Sequence, residues 1–314
     1  MKPFFNHTNF LAILACFLWS TAFVGVKTGL SYSPPLQFAG LRFFIAGILI
    51  LPFAGISIKK YYTLLRSNFR IILIISFLQT FFQYSMFYLG MELTPAALAA
   101  IVIGSGPLFI AMTAHFFMPD DRMTLARLFI FVLGLSGVVF VIAGRNKFIH
   151  GSEVSIIGII FLMLTVISSA FANIVVSKNQ GKTQALVLSS ASMLIGGAVL
   201  FLFSIPVEGL QMGIKPVVYY FTLGWLSFLS AAAVSIWFVL LGRPGVKVSD
   251  LNFWKFIIPV AGAILSWILI PAEKPSLIAF IGMGIVAVAL VLLNINKRKN
   301  SLKTFIENQN HMPK

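Results

Sequence analysis

The side chains of this chain that could do chemistry stand inside long apolar runs, where polar groups are costly. The first run, at about residues 10–30, contains Trp19, Ser20, Thr21 and Lys27. A charge at the centre of a bilayer costs on the order of 3 kcal/mol or more, and lipid offers hydroxyl groups no hydrogen-bond partners. We therefore expect this stretch to face other protein or a cavity, although hydroxyl residues also serve close helix packing.

Two cationic side chains, Lys27 and Arg42, flank the first turn at Ser31–Pro35. Lys27 is near the end of its run, so its aliphatic stem could simply carry the charge to the interface. Arg42 follows Pro35 by seven residues, which at 1.5 Å per residue places it about 10 Å deep. Two interpretations stay open for Arg42: hydrogen bonds to backbone carbonyls, or contact with an anionic group of a bound molecule.

Amide side chains in the third run share one helix face. Gln79 and Gln83 are four residues apart, with Tyr84 and Tyr88 on an adjoining face. An amide facing lipid would leave its polar atoms unpaired. We therefore expect both glutamines to point inward, where they either bond to a neighbouring helix or line a cavity.

Polar residues in the sixth and eighth runs complete this set. Ser168, Ser169 and Asn173 lie in the middle of the sixth run, and Ser235 and Trp237 lie in the eighth. The hydroxyls again suit helix packing, whereas Asn173 is costlier to bury and is expected to line a cavity. Polar and aromatic groups together fit an amphiphilic molecule of modest size.

The acidic residues avoid the middle of every apolar run. They fall in turns, at run ends or in the C-terminal tail, at Glu92, Asp120, Asp121, Glu153, Glu208, Asp250, Glu273 and Glu307. Proton-driven pumps for lipophilic cations usually need a buried carboxylate, so this placement argues against that class and favours anionic or zwitterionic cargo. His115 is interpreted as a packed side chain.

Composition identifies the elements that must position these residues. Of 314 residues, 59% are hydrophobic and 10% are charged, whereas soluble domains carry roughly 25% charged residues, so the chain is a polytopic membrane protein. Its single cysteine, Cys16, excludes internal disulfides and CxxC metal sites. Apolar runs that each approach membrane-spanning length occur at about 10–30, 36–56, 70–90, 96–118, 125–143, 154–177, 184–204, 218–240, 250–271 and 276–295.

The basic residues set the orientation. With Lys27 and Arg42 set aside, seventeen Lys and Arg lie on the same side of the ten runs as the N-terminus and four lie on the opposite side. Because cytoplasmic segments carry the excess of Lys and Arg, both termini are predicted to be cytoplasmic. The first run lacks a clean signal-cleavage site, so it is predicted to be retained.

An internal repeat relates the two halves. Pro107 and Asp121 are fourteen residues apart, as are Pro259 and Glu273, which gives an offset of 152. Trp19 to Phe23 resembles residues 167–171 at an offset of 148. Five runs per unit is an odd number, so the second unit must cross the membrane in the opposite direction, as in many secondary transporters. The predicted units are 10–143 and 154–295, followed by a disordered cytoplasmic tail at 296–314, and the two prolines are hinge or kink candidates.

The motifs resemble those of the drug/metabolite transporter superfamily, EamA type. The residues that carry the resemblance are Trp19, Ser20, Phe23, Lys27, Pro35, Arg42, Phe43, Ala46, Thr94, Pro95, Ala96, Pro107, Leu108, Gly134, Gly137 and Gly282. The chain departs from the family at Pro119–Arg122, where Gly-Glu-Arg is usual, and at Glu273–Pro275. The resemblance implies an all-α integral membrane fold of ten transmembrane helices in two inverted five-helix EamA-type repeats, with both termini inside.

The expected function is that of a secondary transporter in the inner membrane that moves a small metabolite, an amino acid or a related zwitterion or anion, by alternating access. The resemblance favours export. The expected partners are the substrate and the bilayer, without nucleic acid, and a homodimer is left open; no cofactor, metal or catalytic residue is expected. The candidate substrate-binding residues are Trp19, Ser20, Thr21, Lys27, Arg42, Gln79, Gln83, Tyr88, Ser168, Ser169, Asn173, Ser235 and Trp237.

The alternatives to a transporter are a channel or flippase, an enzyme, and a receptor or structural membrane protein. A channel or a lipid or multidrug flippase is the main alternative, although a channel would favour a continuous polar ring, whereas the polar residues here are sparse. An enzyme is disfavoured because HExxH, GxSxG and Walker motifs are absent from the sequence. The pair Asp120–Asp121 has no second acidic cluster and is interpreted as a solvated helix-end cap.

Overall fold

A computed structural model describes residues 7–119, 124–143, 155–179, 181–211, 213–285, 287–289, 291–292 and 295. Within these ranges the chain is helical and forms no strand. The predicted cap at Asp120–Asp121 and the predicted tail at 296–314 lie outside the described residues.

The helices follow the apolar runs closely. They are α1 (His7–Leu30), α2 (Pro35–Ile50), α3 (Ile58–Ser67), α4 (Phe69–Ile75), α5 (Gln83–Leu93), α6 (Ala96–Gly104), α7 (Gly106–Phe117), α8 (Leu125–Ala143), α9 (Ile156–Lys178), α10 (Ala185–Glu208), α11 (Val217–Leu241), α12 (Val248–Asn252) and α13 (Ile257–Leu269).

Seven helical stretches in the described part of the chain are long and apolar enough to cross a membrane. They are Thr8–Leu30, Pro35–Ala54, Phe69–Leu93, Ala96–Phe117, Ile156–Lys178, Ala185–Glu208 and Val217–Leu241. Shorter apolar helices occur at Leu128–Gly137, Ile257–Leu269 and Leu277–Ala289. The all-helical integral membrane fold is therefore confirmed, while the count of ten spans and their inverted repeat stay predictions.

Three apolar runs are interrupted rather than continuous. In the third, a π-helical turn at Ser76–Phe82 joins α4 to α5. In the fourth, α6 ends at Gly104 and α7 begins at Gly106, with Pro107 in its first turn. In the ninth, a 3₁₀ turn at Phe253–Phe256 joins α12 to α13, which carries Pro259 near its start. Each proline thus lies in the first turn of a new helix, where its missing N–H leaves no helical bond unmade.

The interrupted helices meet where glycine allows close approach. A Cβ built on Gly104 would lie 2.5 Å from Cβ of Pro259, so the end of α6 touches the start of α13. Helices α2 and α10 are packed as tightly, since a Cβ on Gly197 would lie 2.4 Å from the backbone nitrogen of Phe44. These contacts bring together elements from the two halves of the sequence.

Two carboxylates tie helix N-termini of the first half to the second half. Glu208 accepts hydrogen bonds from the amides of Leu36 and Gln37 at 2.8 and 2.9 Å. Glu273 accepts them from the amides that open α6, Ala96 at 2.6 Å and Ala97 at 2.8 Å. The first amides of a helix have no intrahelical partner, and a negative charge there is favourable. Both acids therefore have a structural role outside any central cavity.

Removing the Glu273 cap should cost stability, and a neutral isostere should cost less. Burial raises the pKa of the Glu273 carboxyl above its usual value. The hydrogen bonds from the Ala97 and Ala96 amides and the charge of Lys27 lower this pKa, but by less than burial raises it. Because the pKa is raised, the folded protein favours the protonated carboxyl, and the stability that this gives is present at low pH and lost as the pH rises through the raised pKa. A neutral side chain should therefore be tolerated at this position. We expect Glu273→Ala to lower the free energy of unfolding by about 1–3 kcal/mol and Glu273→Gln by less, measured by thermal melting in detergent.

The control is Glu92→Ala, because the Glu92 side chain is exposed at the end of α5. The capping role would be contradicted if Glu273→Ala melted at the same temperature as Glu92→Ala, or if Glu273→Gln were the more damaging change.

Candidate functional site

A cavity of about 100 Å³ lies within the bundle, with walls from α1, α2, α5, α6, α7, α9, α11, α13, the π turn and the 3₁₀ turn. Both halves of the sequence contribute to it. Such a volume holds several water molecules or a small solute. Seven of the predicted residues line it: Trp19, Arg42, Gln79, Gln83, Ser169, Asn173 and Trp237.

Arg42 is held at the cavity wall with only 1% of its surface exposed. Its Nε donates to Oγ of Ser230 at 2.9 Å and to the carbonyl of Leu226 at 3.2 Å. Its Nη1 donates to Oη of Tyr88 at 2.8 Å, and the guanidinium carbon lies 4.8 Å from the ring centre of Phe43. A guanidinium has five N–H donors, so α2 presents a fixed cation that keeps donors for a further partner.

Tyr88, a predicted binding residue, packs behind the residues that line the cavity. Its side chain is fully buried and does not line the cavity. Because its hydroxyl accepts from Arg42, its contribution is to orient the guanidinium.

Two tryptophans and an asparagine form a second polar and aromatic group. The Trp19 and Trp237 ring centres are 5.1 Å apart in an edge-to-face arrangement, a favourable geometry for aromatic pairs. Trp237 Nε1 donates to Oδ1 of Asn173 at 2.9 Å, and Asn252 Nδ2 donates to the same oxygen at 3.4 Å. Asn173 thus fixes one tryptophan and links α9 to α11 and α12.

Lys255 joins this group, although it is one of the seventeen basic residues that the sequence predicts on the cytoplasmic side of the apolar runs. Its Nζ lies 4.6 Å from the Trp237 ring centre and 5.4 Å from that of Trp19, and it lines the cavity. Its position five residues inside the ninth run, four before Pro259, could have identified it. The 3₁₀ turn at Phe253–Phe256 brings it inward.

The π turn at Ser76–Phe82 presents the glutamines. Gln79 lies in this turn and Gln83 directly after it, and π turns often occur at functional sites. The turn is braced from α9, where Ser168 donates to the carbonyl of Leu78 at 2.6 Å. Oε1 of Gln83 is buried and has no hydrogen-bond partner among the described residues. Because Gln83 lines the cavity, its side chain places beside the cavity an acceptor that has no partner among the described residues.

Gln83→Leu should separate a binding role from a structural one. Removing a buried acceptor that has no partner relieves its desolvation cost, so we expect an unchanged or higher melting temperature in detergent. We expect substrate transport into vesicles to fall at least 10-fold, because the substrate loses a hydrogen-bond partner. Gln211→Leu, on an exposed loop, is the control. Normal transport by Gln83→Leu would contradict a binding role.

Two predicted hydroxyls in α1 lie outside the cavity lining. Ser20 donates to the carbonyl of Cys16 at 2.9 Å. Thr21 donates to the carbonyl of Leu18 at 2.8 Å and accepts from Nε1 of Trp225 at 3.1 Å. Both hydroxyls therefore bond their own helix, and that of Thr21 also bonds α11.

Lys27 and Ser235 also lie outside the lining. Nζ of Lys27 donates to the carbonyl of Met91, which joins the end of α1 to the end of α5. Oγ of Ser235 lies 3.1 Å from Oγ of Ser189, between α11 and α10. The serine contact matches the helix-packing interpretation of small polar residues, whereas Lys27 bonds a backbone carbonyl of a neighbouring helix.

The charges around the cavity have one sign. Arg42 and Lys255 line it, and no carboxylate is present among the described side chains of the lining. Glu208 and Glu273 cap helices elsewhere. The site can therefore attract an anionic group while its aromatic walls contact an apolar body.

Residues 7–143 match the EamA-like transporter family. The chain is 28% identical over 292 residues to the probable amino-acid metabolite efflux pump of Escherichia coli (strain K12), covering 90% of this chain and 93% of that protein. It is 23% identical over 294 residues to the uncharacterized transporter YvbV of Bacillus subtilis (strain 168), covering 93% of each. It is 25% identical over 290 residues to the uncharacterized inner membrane transporter YedA of Escherichia coli (strain K12), covering 92% and 91%.

A solved crystal structure shares the fold. It superposes with a TM-score of 0.69 at 19% sequence identity, covering 93% of this chain and 96% of that one. The similarity extends over nearly the whole helical bundle that surrounds the cavity.

Proposed function

The chain is an EamA-type member of the drug/metabolite transporter superfamily, and from that premise we propose that it is a secondary transporter that exports a small metabolite, an amino acid or a related zwitterion or anion, by alternating access. It is a multi-pass plasma membrane protein. The observation that carries the proposal is the cavity lined by both halves of the chain, whose lining includes two cations and a glutamine with an amide oxygen that has no partner among the described residues.

The proposed architecture is ten spans in two inverted repeats, 10–143 and 154–295, with both termini cytoplasmic. The interruptions of the fourth and ninth runs support it, because each is followed by a helix with a proline in its first turn. Broken helices around a central site are a recurrent design of repeat-built transporters. The contact of Gly104 with Pro259 places the two breaks against each other, where a change of helix angle would alter access to the cavity.

Transport by a carrier is favoured over the alternatives. A channel needs a continuous polar path, whereas the cavity walls are largely aromatic and aliphatic apart from a few polar groups. A lipid or multidrug flippase is the second candidate, and the partly apolar lining favours it. Catalysis is not proposed, because the similar proteins that have functional names are named as transporters or efflux pumps.

The direction of transport is proposed as export, supported by the name of the efflux pump of Escherichia coli. A metabolite-efflux screen on cells that overexpress the protein tests it. We expect one small metabolite class to accumulate outside faster than in cells with an empty vector, and we expect Arg42→Ala and Gln83→Ala to lower that rate. Unchanged efflux in both variants would remove the cavity as the substrate site, and preferred efflux of organic cations would overturn the substrate class.

A further inference from the structure

Lys255 differs from Arg42 in donating no hydrogen bond to the residues that the structure describes. Arg42 donates to Leu226, Ser230 and Tyr88, so its charge is partly satisfied by the protein. The ammonium of Lys255 lies over the faces of Trp19 and Trp237, and it donates no hydrogen bond to any of the described residues. It lines the cavity, so its three donors are available to a bound molecule.

Two tryptophan faces stabilise a cation only partly. An attraction of this kind is weaker than a hydrogen-bonded ion pair, and it does not use the N–H donors of the ammonium. A charged group in the interior of a membrane protein pairs with an opposite charge or marks the path of a substrate. No carboxylate lines the cavity within the described part of the chain, so the anionic group of a bound molecule would give Lys255 the partner that these residues do not provide.

We propose that Lys255 is the binding residue for the anionic group of the substrate, and that the cavity selects small organic acids with a net negative charge over zwitterionic amino acids. The inference rests on the proposed transport function and narrows its substrate class. Trp19 and Trp237 flank the ammonium at the same place, so the bound acid carries an aromatic or branched apolar body next to its carboxylate.

An amino acid differs from such an acid by an ammonium group, and the described lining of the cavity provides few groups that could bind an ammonium. Its described lining has no carboxylate to neutralise it, and Lys255 and Arg42 both repel it. The Oδ1 atom of Asn173 already accepts from Trp237. The unpaired Oε1 of Gln83 can accept one hydrogen bond, which an acid could equally fill with a hydroxyl group.

The inference is tested with matched pairs of compounds that differ only at the α-carbon. We choose phenylpyruvate with phenylalanine, and 4-methyl-2-oxopentanoate with leucine; these 2-oxo acids have no hydrogen-bond donor for Gln83, so the pairs test the preference for net negative charge alone. Purified protein in lipid vesicles is loaded with one member of a pair and exchanged against the same radiolabelled compound, at neutral pH and clamped membrane potential. We expect the half-saturating concentration of each 2-oxo acid to be at least 10-fold lower than that of its amino acid.

Variants of Lys255 test whether this residue causes the preference for 2-oxo acids over amino acids. Lys255→Met should raise the half-saturating concentration of the 2-oxo acids at least 10-fold and leave that of the amino acids nearly unchanged, so the ratio within each pair narrows. Lys255→Arg retains the charge and the N–H donors and should keep most of the preference. Lys274→Met, which removes one charge from an exposed turn, is the matched control and should match the original protein.

Binding is measured in parallel so that a poorly folded variant does not obscure the result. Thermal shift in detergent with each compound reports binding without transport. We expect phenylpyruvate to raise the melting temperature of the original protein and of Lys255→Arg, but not of Lys255→Met.

Three outcomes would overturn the inference. If amino acids are exchanged as well as or better than their 2-oxo acids, the selection for net negative charge is wrong while the proposed transport function stands. If Lys255→Met keeps the preference, another group binds the anion. If neither member of either pair is exchanged and organic cations are, both the inference and the proposed substrate class fail.

Discussion

Replacing Arg42 with methionine is expected to abolish transport, lowering the rate at least 100-fold. The guanidinium lies at the cavity wall with 1% of its surface exposed, and methionine cannot provide either its charge or its donors. Tyr88 and Ser230 would lose their donor from Arg42. Unpaired buried groups cost about 1–3 kcal/mol each, so we also expect a lower melting temperature in detergent.

Arg42→Lys distinguishes charge from geometry. An ammonium is a point charge and cannot reproduce the planar fork that contacts Leu226, Ser230 and Tyr88 together. We expect at least 10-fold lower transport with a smaller loss of stability. Arg66→Met, which removes an exposed charge from α3, is the control. Normal vesicle transport by Arg42→Met would contradict a role for this residue at the substrate site.

The second large effect is expected at the crossing of α2 and α10. A Cβ on Gly197 would lie 2.4 Å from the backbone nitrogen of Phe44 and 2.9 Å from the backbone carbon of Phe43. Backbone atoms cannot turn away as a side chain can, so Gly197→Ala must separate the helices. Overpacking of this kind costs about 1–3 kcal/mol or more. We expect a marked fall in melting temperature and in the yield of folded protein.

Gly224→Ala is the matched control for this change. Gly224 also lies within a long helix, α11, but a Cβ there would meet no atom within 4 Å. Alanine is the better helix former by about 1 kcal/mol, so this variant should be as stable as the original protein or more stable. If the two alanine variants melted alike, the close crossing of α2 and α10 would be contradicted.

The inward-facing polar residues follow from the sequence because lipid leaves them no partners. That cost predicts that Gln79, Gln83 and Asn173 point inward, and all three line the cavity. For Arg42, the sequence leaves hydrogen bonding and substrate contact open. The structure supplies the hydrogen bonds, and it also places the residue at the cavity, so both interpretations apply to one side chain.

Hydroxyl residues are harder to place from sequence. In a helix, a serine or threonine can bond a carbonyl three or four residues back, so its polar atom does not reveal which way it faces. Ser20 and Thr21 bond their own helix in this way. Ser168 instead bonds the π turn, a partner that no local pattern indicates.

The position of Lys255 could not be predicted from the sequence, because a basic residue near the end of an apolar run is interpreted as part of the adjoining loop. Orientation is inferred by counting basic residues near the ends of apolar runs, and Lys255 lies close enough to such an end to be counted there. Only the 3₁₀ turn at Phe253–Phe256 and the packing of Trp19 and Trp237 bring its ammonium into the cavity. These features depend on contacts between distant parts of the chain, which no single-sequence pattern contains.

The most direct test of transport through this cavity is substrate counterflow in vesicles that contain the purified protein. A carrier takes up labelled substrate transiently against an internal pool of the same compound, with a rate that saturates. We predict saturable counterflow that is lost in Arg42→Met and Gln83→Leu and retained in Gln211→Leu. Flux that does not saturate, or that exceeds about 10⁴ molecules per second, would contradict a carrier, because the required motions take microseconds to milliseconds or longer.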